Sequence, residues 1–244
     1  MIYMTDGSFE GILTAVFEAF RRKECPEKIA SQEPCQLTLG TEIREIETDR
    51  EKSDRVYKAI VEKMSREAIE ILYRAYLSEH PDVGTKIYDY IKIGLKIGGR
   101  IIYYLQDPDV LWIHDRNQKV LKEVHLFLGI LRFRKLRNGI YYARYEPDNN
   151  ITTLISGHFE ERLSNQPWII HDAGRDIYAL YNTNETVFLH EHIPIPKNEA
   201  DKKFEVLWKG YFQSTAIENR LNPNLQRRFM PRRYWKNLIE KQNN

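Results

Sequence analysis

The residues best suited to chemistry in this chain are seven histidines, a few strand-end carboxylates and two clusters of arginine. His158, Glu161 and Arg162 lie within one helical turn, and His171-Asp172 closes a strand with Arg175 and Asp176 just beyond. A helix histidine and a strand-end carboxylate make an acid–base pair when a fold brings them together. His125, His158, His171 and Asp172 are therefore the candidate catalytic groups. Taken singly, each histidine also fits a structural or surface role. Glu123 and His125 are two residues apart, on different faces of a helix, and form no obvious pair. Cys25 and Cys35 form no close pair to join His190 and His192, whereas structural zinc uses tighter spacing. No metal site and no cofactor is expected.

The arginines point elsewhere. Arg227-Arg228-Phe229-Met230-Pro231-Arg232-Arg233-Tyr234-Trp235-Lys236 interleaves cations with aromatic rings. Guanidinium groups offer paired donors to phosphate, and Tyr234 or Trp235 could stack on an exposed base. The alternative is a solvated basic helix whose Tyr234, Trp235 and Leu238 face a core. A second block comprises Lys119, Lys122, Arg132, Arg134, Lys135, Arg137 and Arg144. Arg132 and Arg134 share one strand face, and Arg144 continues it across a hairpin. Candidate nucleic-acid contacts are thus Arg132, Arg134, Arg227, Arg228, Arg232, Arg233, Tyr234 and Trp235. The second block could equally be neutralised by the acidic stretch that follows it.

A third feature is Thr5-Asp6-Gly7-Ser8-Phe9-Glu10-Gly11, a turn leading into a helix. Free backbone N–H groups at such a start can hold an anion, but Asp6 and Glu10 would repel phosphate. The P-loop ending and the dinucleotide fingerprint are both missing. A capped helix start that positions Asp6 fits better.

These groups must be positioned by 244 residues, enough for a sizeable core. Two cysteines exclude a disulfide scaffold and an iron–sulfur cluster held by this chain's own thiolates. No apolar run is long enough to cross a bilayer, and no signal peptide opens the chain. A cytoplasmic protein with no membrane partner is expected. The net charge of +2 is unevenly spread. Residues 119–144 hold seven bases against one acid, 145–200 three against nine, and 201–244 ten against four.

Helical spacing runs through Phe9, Ile12, Leu13, Val16, Phe17 and Phe20, with Ser8 as cap. It resumes over Asp54–His80, where Ser65 starts a second helix, then from Pro81-Asp82 through Leu95, and over Val110–Leu128 with Gly129 as terminator. Gln36–Leu39 suggests a short strand. Beyond residue 130 the period changes. A hairpin turns at Asn138-Gly139, a helix carries Ile151, Leu154, Ile155 and Phe159, and Trp168–His171, Ile177–Tyr181 and Thr186–His190 read as strands. Phe204 to Thr215 is a helical stripe, and Pro231 starts a final short helix. The fold expected is α+β: a helical N-terminal half packed with an antiparallel β-β-α-β-β-β sheet and a helical C-terminus. It is read as a single domain over 1–244, with a possible subdivision at 1–129 and 130–244.

Ordered blocks along the chain resemble a known bacterial family. They include Tyr3-Met4-Thr5-Asp6-Gly7-Ser8-Phe9-Glu10-Gly11, Gly129-Ile130-Leu131-Arg132-Phe133, Tyr145-Glu146-Pro147-Asp148-Asn149-Asn150 and His158-Phe159-x-x-Arg162-Leu163. Further along come Trp168-Ile169-Ile170-His171-Asp172-x-x-Arg175, Leu207-Trp208-Lys209-x-Tyr211-Phe212 and Met230-Pro231-x-x-Tyr234-Trp235. The family is catalogued as a putative DNA repair or DNA metabolism protein built on a domain of unknown function. Ile130 stands where Phe is expected, a tolerable core change. The resemblance implies a gene neighbour that is a radical-SAM protein, and a domain that can be fused to uracil-DNA glycosylase; it assigns no catalytic residue. The function expected is a DNA-repair-associated nucleic-acid-binding protein that contacts DNA and acts with the radical-SAM partner. An enzyme acting on a DNA base or end, and a structural adaptor, are the alternatives.

Overall fold

The computed structural model describes residues 1–31, 42–136, 139–190 and 231–237, apart from the side chains of Arg232 and Lys236. The chain divides into two compact units, Met1–Leu121 and Lys122–Asn244. The expected strand at Gln36–Leu39 and the stripe from Phe204 to Thr215 lie outside the described residues, as do Arg137 and Asn138 of the first hairpin.

The first unit begins with strand β1 (Ile2–Thr5), helix α1 (Phe9–Arg22), strand β2 (Lys28–Ser31) and strand β3 (Ile43–Glu45). Helices α2 (Arg50–Lys63), α3 (Arg66–Tyr76) and α4 (Val83–Ile97) follow, then a 3-10 turn at Gly98–Tyr103 and the start of α5 (Pro108–Ile130). The sequence explains the boundaries. Ser8, Asp49 and Ser65 accept hydrogen bonds from Gly11, Lys52 and Ala68 N–H groups, capping α1, α2 and α3. Asp107 Oδ1 takes the Asp109 and Val110 N–H groups at the start of α5. Helix α5 runs past Gly129, the expected terminator, to Ile130.

This half is helical, as its periodicity indicates, but it also carries a three-stranded parallel sheet ordered β2-β1-β3. The strands are three or four residues long, too short for a two-residue period to register. The helices bury Leu13, Val16, Ile60, Leu72, Ile87 and Ile91 with Tyr3 and Ile29 of the sheet.

The second unit holds β4 (Arg134–Lys135), β5 (Tyr141–Tyr145), α6 (Thr152–Arg162), β6 (Trp168–Asp172), β7 (Ile177–Tyr181), β8 (Thr186–Leu189) and a 3-10 turn at Arg232–Asn237. The order β-β-α-β-β-β is as expected, and the strands lie β4-β5-β6-β7-β8. One pairing departs from the antiparallel expectation, because β5 and β6 are parallel. A strand followed by one crossing helix returns in the same direction, and α6 supplies that crossing. Central β6 is buried along its whole length. Trp168 stacks on Tyr181 with centroids 5.2 Å apart, while Phe133 packs edge-on to Phe159 at 5.1 Å.

Candidate functional site

In the first unit a cavity of 840 Å³ opens where parallel strands β1 and β2 end at Thr5 and Ser31. The chain leaves β1 towards β2 on one side, while β3 lies on the other. Crevices at the carboxyl ends of parallel strands, where the strand order reverses, are the usual ligand positions of such sheets. Asp6, Ser8, Lys28, Ser31, Glu79 and His80 bring polar groups to the lining, with Ile12, Tyr76, Pro81 and Val83 among the less polar ones.

Local chemistry fixes the floor. Gly7 adopts φ +82°, a left-handed conformation that turns the chain from β1 into α1. Tyr76 donates from its hydroxyl to the Gly7 carbonyl at 3.1 Å, and buried Thr5 donates to the Ala30 carbonyl at 3.2 Å. Asp6 Oδ1 accepts from the Ser8 N–H at 2.9 Å and the Ser8 hydroxyl at 2.6 Å; Oδ2 accepts from Thr48 at 2.8 Å. Burial pushes the Asp6 carboxyl up, but these hydrogen bonds outweigh it and hold it below its ordinary value. Asp6 is therefore a fixed carboxylate at neutral pH.

The opposite wall is the start of α4. A side chain at Gly84 would bring its Cβ to 2.6 Å from the Ile29 carbonyl, so glycine is what lets α4 close on β2. His80 Nδ1 accepts from the Asp82 N–H at 3.2 Å, which leaves the proton of the neutral ring on Nε2. Its ring meets Trp112 edge-on at 5.2 Å. Lys28 pairs with Asp82 at 3.6 Å. Asp6 and Glu79 outnumber Lys28, so the lining carries net negative charge.

In the second unit His171 and Asp172 take structural positions. His171 and Asp172 are neighbours on β6 and project to opposite faces. His171 stacks on Tyr178 at 4.0 Å and bonds to the Tyr142 hydroxyl at 2.8 Å. Asp172, fully buried, accepts from the Gly174 and Arg175 N–H groups and pairs with the Arg175 guanidinium at 3.1 Å. Burial raises its carboxyl above the ordinary value despite Arg175. Arg175 also donates to the Pro147 and Asp148 carbonyls, which makes the pair a clamp on that loop. His125 and His158 are exposed. The four candidate catalytic groups are not gathered at one pocket, because strand alternation and burial separate them.

The candidate nucleic-acid contacts divide similarly. Arg227 and Arg228 lie outside the described residues, as does the Arg232 side chain. Tyr234 is 2% exposed, so it cannot stack on a base. Its hydroxyl donates to Glu123 at 2.6 Å, and its ring meets Phe127 edge-on at 4.8 Å. Burial and the Glu123 hydrogen bond raise its pKa. Trp235 is half-buried. Arg233 pairs with Asp148 at 2.5 Å, and Arg144 with Glu146 at 2.6 Å. Arg132 donates to the Gly129 carbonyl at the end of α5, and Arg134 lies over Tyr142 at 5.0 Å.

The turn and cap that position Asp6 were legible in advance, but Asp6 was not among the candidate site residues. Lys28, Ser31, Glu79 and His80 were not, since only the unseen parallel sheet and the α3–α4 junction bring them to one cleft. Among the described residues no group of His, Cys, Asp and Glu could hold a metal, and no helix is long and apolar enough to cross a membrane.

Residues 81–240 match the family described as a domain of unknown function, DUF4130, and the chain belongs to that family. No curated protein and no solved structure matches the chain.

Proposed function

We propose that this DUF4130 member recognises nucleic acid in DNA metabolism by holding one nucleobase in the cleft of its first unit. The observation that carries the reading is the 840 Å³ cavity at the ends of β1 and β2, lined by both donors and acceptors. A space of several hundred Å³ suits a nucleoside-sized ligand. A base edge presents amino or ring N–H donors beside carbonyl and ring-nitrogen acceptors. Asp6 accepts from the former, while Lys28 and the His80 Nε2–H donate to the latter. Tyr76, Pro81 and Val83 supply apolar surface for the ring.

The carboxylates of Asp6 and Glu79 oppose a phosphate inside the cleft, so the sugar–phosphate backbone stays at its mouth. That is the arrangement of an extruded or single-stranded base, and extrusion from a duplex costs a few kcal/mol. On the second unit, counted separately from the cleft, Arg134 and the tail arginines Arg227, Arg228 and Arg232 are the proposed phosphate contacts. In this reading the radical-SAM partner implied by the family resemblance does the chemistry on DNA, and this chain supplies recognition.

Fluorescence anisotropy with a short single-stranded oligonucleotide tests the proposal. Single-stranded DNA should bind at least about tenfold more tightly than the same sequence as a duplex, a difference of about 1.4 kcal/mol. Asp6→Asn should cost a further factor of about ten, because a hydrogen bond to a charged group is worth about 1.5–3 kcal/mol. An oligonucleotide made entirely of abasic sites should bind weakly. Equal affinity for abasic and ordinary strands, with Asp6→Asn silent, would overturn the reading.

A further inference from the structure

On another flank of α1 the first unit carries a second, differently built concavity. A groove of 320 Å³ runs between α1, α2 and α3, lined on its floor by Phe9, Leu13, Ile69, Tyr57 and Tyr73. Tyr57 is 45% exposed and Tyr73 37%, so two large rings face solvent at the same place. The Tyr73 ring is held in place. Tyr73 packs against Phe9 at 5.4 Å and against Tyr76 at 6.1 Å, and Phe9 against Tyr76 at 5.3 Å. The Phe9–Tyr73 part of the floor, packed this way, loses little entropy when something lies on it.

The rim carries one sign of charge. Glu10, Asp54 and Glu70 line the groove, and among the described residues no Lys or Arg lines it. Glu70 is paired with Arg74 at 3.0 Å. Glu10 and Asp54 are exposed and have no ion-pair partner among the described residues. Glu10 is in the first turn of α1, where the helix dipole favours it, so its presence alone demands nothing. Asp54, one turn into α2, has no such local role.

We infer that this groove docks a basic segment of a partner protein, with one or two bulky apolar side chains on the ring floor and lysine or arginine flanking them towards Glu10 and Asp54. Charge complementarity selects this occupant: an acidic or neutral segment would leave both carboxylates facing apolar surface without a counter-ion. Short apolar anchors with flanking charge are a recurring way for a groove to take a peptide or helix. The inference is independent of nucleobase binding, since the groove and the cleft share no lining residue.

The test titrates the full chain into two fluorescein-labelled synthetic peptides. Both carry a Phe and a Leu four residues apart, flanked by four lysines in one and four glutamates in the other. The lysine peptide should bind saturably and weaken several-fold between 50 and about 300 mM salt, as exposed charges are screened. The double variant Glu10→Gln/Asp54→Asn should reduce its affinity about tenfold, or about 1.4 kcal/mol. Tyr57→Ser should do the same through the floor, and the exposure of all three positions keeps these variants folded. Oligonucleotide binding should be unchanged in all of them, which separates this inference from the cleft. Equal binding of both peptides would overturn it, as would insensitivity to the variants. Self-association that Tyr57→Ser abolishes would instead assign the groove to a second copy of the chain, and would also overturn it.

Discussion

A carboxylate that is 6% exposed and accepts four hydrogen bonds cannot be removed cheaply, and Glu123 is such a group. It takes the Asp148 and Asn149 N–H groups at 2.7 and 2.8 Å, the Asn149 side chain and the Tyr234 hydroxyl. Glu123→Ala should lower the stability of the second unit by about 3 kcal/mol, because one buried and three part-buried donors lose their acceptor together. Tyr234→Phe, which removes one donor and keeps the ring, should cost about 1 kcal/mol. Urea unfolding followed by tryptophan fluorescence checks both, and equal losses would contradict the hub assignment. At this scale the residue types left chemistry and packing both open. Tyr234 suits stacking and His171 proton transfer, yet each also fits a core or structural role. Their burial depends on Phe127 and Tyr178, partners that no local pattern announces. The turn that positions Asp6 was legible because its cap, Ser8, is two residues away.

Helix α1 shows what the elements add. Its buried Glu18 takes hydrogen bonds from Arg21 and Arg22 and pairs with Lys52 of α2 at 3.2 Å. Burial pushes the Glu18 carboxyl up, but the three cations outweigh it and hold it at about 2, below its ordinary 4.5. The folded state thus prefers the ionised form. The stabilisation is complete above pH 4.5 and disappears as pH falls towards 2. Glu18→Gln should therefore lower the urea midpoint at neutral pH, and the gap from the parent should close on acidification through that window. A gap that widens on acidification would contradict the assignment. Helices of this kind were readable from spacing and caps, since Ser8 and Ser65 act as the local pattern indicates. Strands β1, β2 and β3 were not, because each is at most four residues long and is stabilised by parallel neighbours distant in sequence. The direction of β6 was equally hidden: hairpin signals are local, whereas a crossover through α6 is not.

At the scale of the whole molecule, several described arginines of the two basic blocks are held by groups of the chain itself. Arg144 and Arg233 carry carboxylate partners, and Arg132 is committed to the end of α5. DNA affinity should consequently fall only gently with salt. A logarithmic slope of about −3 is expected from four phosphate contacts on a single strand, where seven would give about −5. A slope near the latter value would return the main contribution to the arginines and away from the cleft. The central claim is that the base sits where β1 and β2 end. Its most direct test is a two-dimensional amide NMR titration of the full chain with a deoxynucleoside. The account predicts saturable shifts at Gly7, Ser8, Ser31 and Gly84, needing about tenfold more ligand in Asp6→Asn, with Asp148, Asn149 and Gly174 unmoved. Shifts confined to the second unit, or none at the four cleft amides at saturating ligand, would contradict it.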